Sequence, residues 1–190
     1  MITPTFHTLT QLQTWLQEQG IDLSQWGQAD AKTIASLWEE LQNGDCVLQA
    51  DPPLRISHIA QIIISRGEKL LIEAEQELGD GRSRSRLIPP SEKMRPGEDI
   101  AAAAWRCLQE ELNVEPGEAT LHLESYRQRI RELDSLSYPG LRTRYIFHRL
   151  NADVPGLPNE DFWRDNQAFS LGDPVRRQRW SWRSGVLSPH

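Results

Sequence analysis

A chain of 190 residues, 38% hydrophobic and 25% charged, can bury one core and carry an appendage. Its formal net charge of −6 argues against general nucleic-acid binding, and no apolar run is long enough to span a bilayer. Cys46 and Cys107 lie far apart and make neither a disulfide framework nor a zinc pattern. With no basic segment leading into an apolar core at the N-terminus, no signal peptide is expected, and a reducing, cytoplasmic setting is.

The first predicted element is a helix over His7–Gln19, capped by Thr8 or Thr10. Leu9, Leu12, Trp15 and Leu16 form its apolar stripe, and Gly20 ends it. A connector with Leu23 and Trp26 follows. A second helix is predicted from about Ala31, capped by Asp30, with Ile34, Leu37, Trp38 and Leu41 at helical spacing and Asn43-Gly44 at its end. Two such helices bury too little to be stable alone. Residues 1–50 are therefore read as a helical hairpin that packs on the following domain or on a protein partner. Residues 1–54 are acidic, with Glu18, Asp22, Asp30, Glu39, Glu40, Asp45 and Asp51 against Lys32.

Asp51-Pro52-Pro53 marks the boundary, and residues 54–190 form the second expected domain. Arg55–Ser65 is Ile-rich and reads as a buried strand. Arg66-Gly67-Glu68 is a turn, and Lys69–Glu75 returns as a second strand. Residues 79–86 read as a polar loop with Arg82, Arg84 and Arg86 alternating with small residues. Two readings of it stay open: a phosphate-binding loop, and a mobile exposed loop.

Leu87–Val114 is the stretch with chemical content. Pro89 and Pro90 stop a strand, Pro96-Gly97 makes a turn, and Asp99–Leu112 reads as a helix. Ile100, Ala104 and Leu108 form a narrow stripe that lets the helix lie close to a sheet. Glu98, Arg106, Glu110 and Glu111 fall off that stripe. Carboxylates gathered on one helix repel, and a hard cation with a taste for oxygen ligands relieves the repulsion; a solvated acidic face is the alternative.

Further along, Thr120–Arg131 and Arg142–Leu150 are predicted strands, joined by a loop with a Tyr138-Pro139-Gly140 turn. Gln167–Ser170 and Arg177–Arg183 are shorter candidates, and no good helical stripe follows them. Arginines outnumber acids after residue 118, as exposed strand residues or as anion ligands. None of the five histidines has metal-ligand spacing with another His or a Cys.

The string from Glu92 to Val114 resembles the Nudix box, G-x5-E-x7-R-E-U-x-E-E-x-G-U, where U is a bulky aliphatic. Glu98, Arg106, Leu108, Glu110, Glu111 and Val114 match. Glu92 stands in place of the first Gly, Cys107 in place of the Glu after Arg, and Asn113 in place of the second Gly. The resemblance implies a Nudix-type α/β/α sandwich around a mixed sheet, with the helical hairpin appended and an atypical C-terminal part. It implies hydrolysis of a nucleoside diphosphate linked to another moiety, with Mg²⁺ or Mn²⁺ held by Glu98, Glu110 and Glu111 and with Arg106 orienting the glutamates. A carboxylate at position 107 is expected to complete the metal cluster, and Glu92 is a candidate substitute for it. Arg82, Arg84, Arg86 and Tyr138, the last as a lid residue, are the candidate contacts for a small-molecule diphosphate. A Nudix fold that has lost its chemistry and serves as a ligand- or protein-binding module is the alternative.

Overall fold

The computed structural model describes residues 3–29, 31–166, 169 and 175–184. The fold is α+β with a mixed sheet, and its elements in chain order are α1 (Leu9–Glu18), α2 (Ile34–Asn43), β1 (Val47–Gln49), β2 (Leu54–Arg66), β3 (Lys69–Leu78), β4 (Ser83–Ile88), β5 (Ser91–Lys93), α3 (Ile100–Leu112), β6 (Thr120–Asp134), β7 (Arg142–Asp153), β8 (Phe162–Asp165) and β9 (Val175–Ser184). The ladder order is β6-β7-β2-β3-β9-β8, with β1 and β5 paired to β2 and β4 to β3. No helix among the described residues is long and apolar enough to cross a membrane.

The chain forms two compact units, and their division differs from a boundary at residues 51–53. One contains Met1–Ile59, Lys93–Glu98 and Gln128–Phe147; the other contains Ala60–Glu92, Asp99–Arg127 and His148–His190.

In the first unit, Thr8 caps α1 by accepting from the Gln11 amide. Thr33, not Asp30, caps α2, accepting from the Ser36 amide; Asp30 lies outside the described residues. Leu12, Leu16 and Leu37 are buried with Cys46, Leu48, Tyr138 and Leu141. The hairpin therefore buries these three leucines within its own unit. Trp15, Trp26 and Trp38 are half-buried around that cluster. Trp26 donates from Nε1 to the Pro139 carbonyl at 2.9 Å, and its ring lies 5.1 Å from that of Tyr138.

Beneath lies a buried ion cluster. Glu40 accepts from Arg55 at 2.6 Å, Lys32 at 2.7 Å and Lys93 at 2.8 Å. Burial alone would raise the Glu40 carboxyl, but Arg55 and Lys93, followed by hydrogen bonds from the two lysines, hold it at about 2.

In the second unit, Gly67 at φ 57° allows the tight turn that pairs Arg66 with Lys69. β3 then pairs with β4 on one side and β9 on the other, both antiparallel. The segment expected to be a polar loop is thus partly a strand: residues 83–88 complete the ladder beside β3. Its exposed, charged side chains hid this, because an edge strand needs little apolar surface. The predicted strand over 177–183 is present as β9. Gln167–Ser170 lies, except for Phe169, outside the described residues. The core gathers Ile62, Ile64 and Leu71 from the sheet, Ala104, Cys107, Leu108 and Leu112 from α3, and Trp180 from β9.

Candidate active site

Helix α3 carries the site. Asp99 caps it, accepting from the Ala102 amide at 2.8 Å, and Asn113 closes it at φ 55° in the left-handed conformation expected of a C-cap. Its small face is buried: Ala103, Ala104, Cys107 and Leu108 are all fully covered. This rotation puts Arg106, Glu110 and Glu111 at the rim of the buried face.

Arg106 joins two acids. Its Nη1 lies 3.3 Å from Glu110, one turn on, and 3.6 Å from Glu92 on β5. Glu92 is thus an ion-pair partner of the box arginine. Glu111 turns toward the sheet, where its Oε2 accepts from Gln178 Nε2 at 2.6 Å. Burial, then the carboxylates of Glu73 and Glu92, push the Glu111 carboxyl up to about 8.

Glu73 on β3 did not stand out in the sequence. It is 4% exposed, accepts from Gln76 Nε2 at 2.6 Å, and has Arg86 Nε at 3.4 Å. Burial raises its carboxyl against the pull of Arg86. The one available sequence signal was an acid in an otherwise apolar strand run, Leu70-Leu71-Ile72-Glu73-Ala74.

The other expected residues divide. Arg84 donates to Gln76 at 2.7 Å and Arg86 approaches Glu73, so both reach this face of the sheet. Arg82 pairs instead with exposed Asp80 at 2.8 Å. Tyr138 is not a lid: its ring is fully buried among the hairpin residues of the first unit, because the apolar side of that loop covers the hairpin stripe. Glu98, also in the first unit, folds back on its own Arg95-Pro96-Gly97-Glu98 turn and accepts from the Arg95 amide at 2.8 Å. Cys107 does not stand beside the acids as an open position; it belongs to the core, where burial, then Glu111 and Glu92, raise its thiol well above the usual range.

Among the described residues, no three His, Cys, Asp or Glu side chains are grouped so as to hold a metal ion. The donors present are nevertheless suited to a hard divalent cation. They are carboxylate oxygens, the ligand type such a cation prefers, and burial followed by the carboxylates of Glu73 and Glu92 raises the Glu111 carboxyl.

A family model described as the NUDIX domain matches residues 56–185. The chain belongs to the Nudix family. Solved structures similar to this Nudix chain include a C. elegans Ap4A hydrolase binary complex, at 18% identity over 68% of this chain and 79% of that chain, TM-score 0.37. They include the E. coli ORF135 protein, at 22% identity over 68% and 74%, TM-score 0.37. A NUDIX hydrolase from Nitrosomonas europaea matches at 18% identity over 66% and 71%, TM-score 0.40. No curated protein matches the Nudix chain.

Proposed function

We propose that this Nudix-type hydrolase cleaves a nucleoside diphosphate linked to another moiety, with Mg²⁺ or Mn²⁺ bound through Glu110 and Glu111. The observation that carries the reading is the retention of Arg106, Glu110 and Glu111 at box positions of a Nudix domain, with Glu111 largely withdrawn from water. Adjacent acids on one helix repel, and a hard cation relieves that repulsion. The metal would neutralise charge developing on the phosphates and activate water.

The chain's own groups have separate roles. Arg106 fixes Glu110 and Glu92 by ion pairing. Gln178 fixes the rotamer of Glu111 through Oε2. Arg84 and Arg86 supply positive charge for the phosphates, with Arg suited to their planar pairing geometry. In the reaction, a water oxygen bonds to one phosphorus, the bridging P–O bond breaks, and the water proton is released.

Cys107 favours a second reading, a ligand-binding module without turnover, because a buried neutral thiol brings no charge to the box. Phosphate release decides between them. Nucleotide sugars, dinucleoside polyphosphates, ADP-ribose and CoA are each incubated with Mg²⁺ and with Mn²⁺. Turnover of at least one is expected, falling about 10²- to 10⁴-fold in Glu111→Gln. Substrate binding without turnover in any combination supports the module instead.

A further inference from the structure

A polar row crosses the sheet on the face that α3 covers. Arg164 on β8 pairs with Gln178 on β9, Gln178 with Gln76 on β3, and Gln76 with Arg84 on β4. Residues directly opposite one another in a ladder send their side chains to the same face. Two contacts identify that face. Gln178 donates from Nε2 to Glu111 Oε2 on α3 at 2.6 Å, and Phe162, two residues before Arg164, packs against the core to which α3 contributes. Arg164 therefore projects on the side of the box helix, one strand away from the residue that holds Glu111.

The arginines at the two ends of the row differ. Arg84 donates from Nε to Gln76 Oε1 at 2.7 Å. Arg164 is half-buried, yet no carboxylate is paired with it among the described residues, and its buried Nε has no hydrogen-bond partner. The arginines nearby on the sheet are paired: Arg86 with Glu73, Arg177 with Glu77, and Arg179 with Glu75 and Asp161.

A half-buried charge without a partner is costly, and buried donors are nearly always satisfied. The Phe162 ring, 5.2 Å from the guanidinium carbon of Arg164, offsets only part of that cost. A ring beneath a guanidinium also leaves its in-plane N–H groups available, in the fork that suits a phosphate. Gln178 meanwhile occupies Glu111 with a neutral donor, so that acid does not neutralise Arg164.

We propose that Arg164 is a phosphate-binding residue of the hydrolase site, donating to a non-bridging oxygen of the substrate's diphosphate from the β8 side while Arg84 and Arg86 supply charge from the β4 side. The inference rests on the diphosphate reading above. It adds to that reading an arginine outside both the box and the 82–86 segment.

Methylenediphosphonate, whose P–C–P bridge water does not cleave, reads the contact apart from turnover. Its binding to the full chain is measured by isothermal titration calorimetry with Mg²⁺ present. Arg164→Gln is expected to weaken binding about 10- to 100-fold, the range for a lost hydrogen bond to a charged group. Arg183→Gln removes the same charge from the opposite face of β9, the side away from Trp180 and Trp182, and is expected to bind as the wild type does. Should Arg164→Gln not fold, Arg164→Met, which keeps an apolar stem over Phe162, takes its place with the same expected loss. Wild-type affinity in the Arg164 variant overturns the inference and leaves the diphosphate reading standing. So does an equal loss in Arg183→Gln, which would make the effect one of net charge alone. A wild type that binds no methylenediphosphonate overturns the diphosphate reading, and the inference with it.

Discussion

Cys107 sits where box chemistry and core packing compete, and packing wins. In the sequence it lies one helical turn before Glu111, where an added carboxylate would be expected to join the acids. In the structure its side chain has no exposure and shares a core with Ile62, Leu71 and Trp180. Cys107→Glu is therefore expected to destabilise the chain by about 3–5 kcal/mol, the usual cost of an uncompensated buried charge. Urea unfolding at neutral pH measures this; a variant as stable as the wild type would show that the side chain reaches the acids after all. The thiol chemistry follows from the same burial. Cys46 and Cys107 are both free and buried, and burial, together with nearby carboxylates, raises both thiols. Neither is expected to react with an aromatic disulfide reagent until urea exposes it, when both titrate.

At the scale of elements, the N-terminal helices are held by tertiary contacts more than by their own propensity. Each has ten residues, too few for a stable isolated helix in water. Tyr138 fills the space against them, with Trp26 beside its ring and Arg55 5.3 Å from its centroid. Tyr138→Ala is expected to cost about 3–5 kcal/mol, as large aromatic truncations in cores do. Loss of helical circular dichroism at lower urea than wild type would show it; an unchanged midpoint would return Tyr138 to the role of a lid. A second element-scale device is the bend after β7. Arg66 donates to the carbonyls of Pro155, Leu157 and Pro158 and stacks 4.4 Å from the Trp182 ring centroid. Lys cannot reproduce that fork. Arg66→Lys is expected to raise amide exchange at residues 156–160, while an unchanged exchange rate would mean that Trp182 Nε1, bonded to Pro158 at 2.8 Å, holds the bend alone.

Two properties of the whole molecule follow. The first is its acid limit. The Glu40 carboxyl is held at about 2 in the folded chain against an ordinary 4.5. A depressed carboxyl contributes stability that is complete above its ordinary value and is lost as pH falls through the folded one. That contribution is on the order of 3 kcal/mol and should vanish between about pH 4.5 and 2. Glu40→Gln should flatten the acid side of the stability profile, at the cost of leaving the 4%-exposed Arg55 without its carboxylate. An acid profile identical to the wild type would contradict the ion cluster. The second is linkage to metal. A cation that binds only the folded chain should raise its stability by about 2.7 kcal/mol at a hundred times its Kd. Scanning calorimetry with and without Mn²⁺ reads this, and Glu110→Gln with Glu111→Gln should abolish it.

The amino-acid sequence by itself determined the local features: helix α3 with its Asn113 cap, the β2–β3 hairpin turning at Gly67, the two amphipathic N-terminal helices, and the family, through Arg106, Glu110 and Glu111 at box spacing. All of these depend on residues within a few turns of one another, where periodicity and capping chemistry leave a direct trace. Only the tertiary structure decided that residues 83–88 form a strand, that Tyr138 is buried against the hairpin, that Glu92 pairs with Arg106, and that Gln178 and Glu111 meet. Glu73 is the sharpest case. Nothing near it in sequence marks it as more than one acid in a strand, and its neighbours Arg86, Trp180 and Glu111 arrive from three other elements. Side chains that are remote in sequence carry no common period, so their convergence is written only in the register of the sheet and the rotation of the helix packed on it.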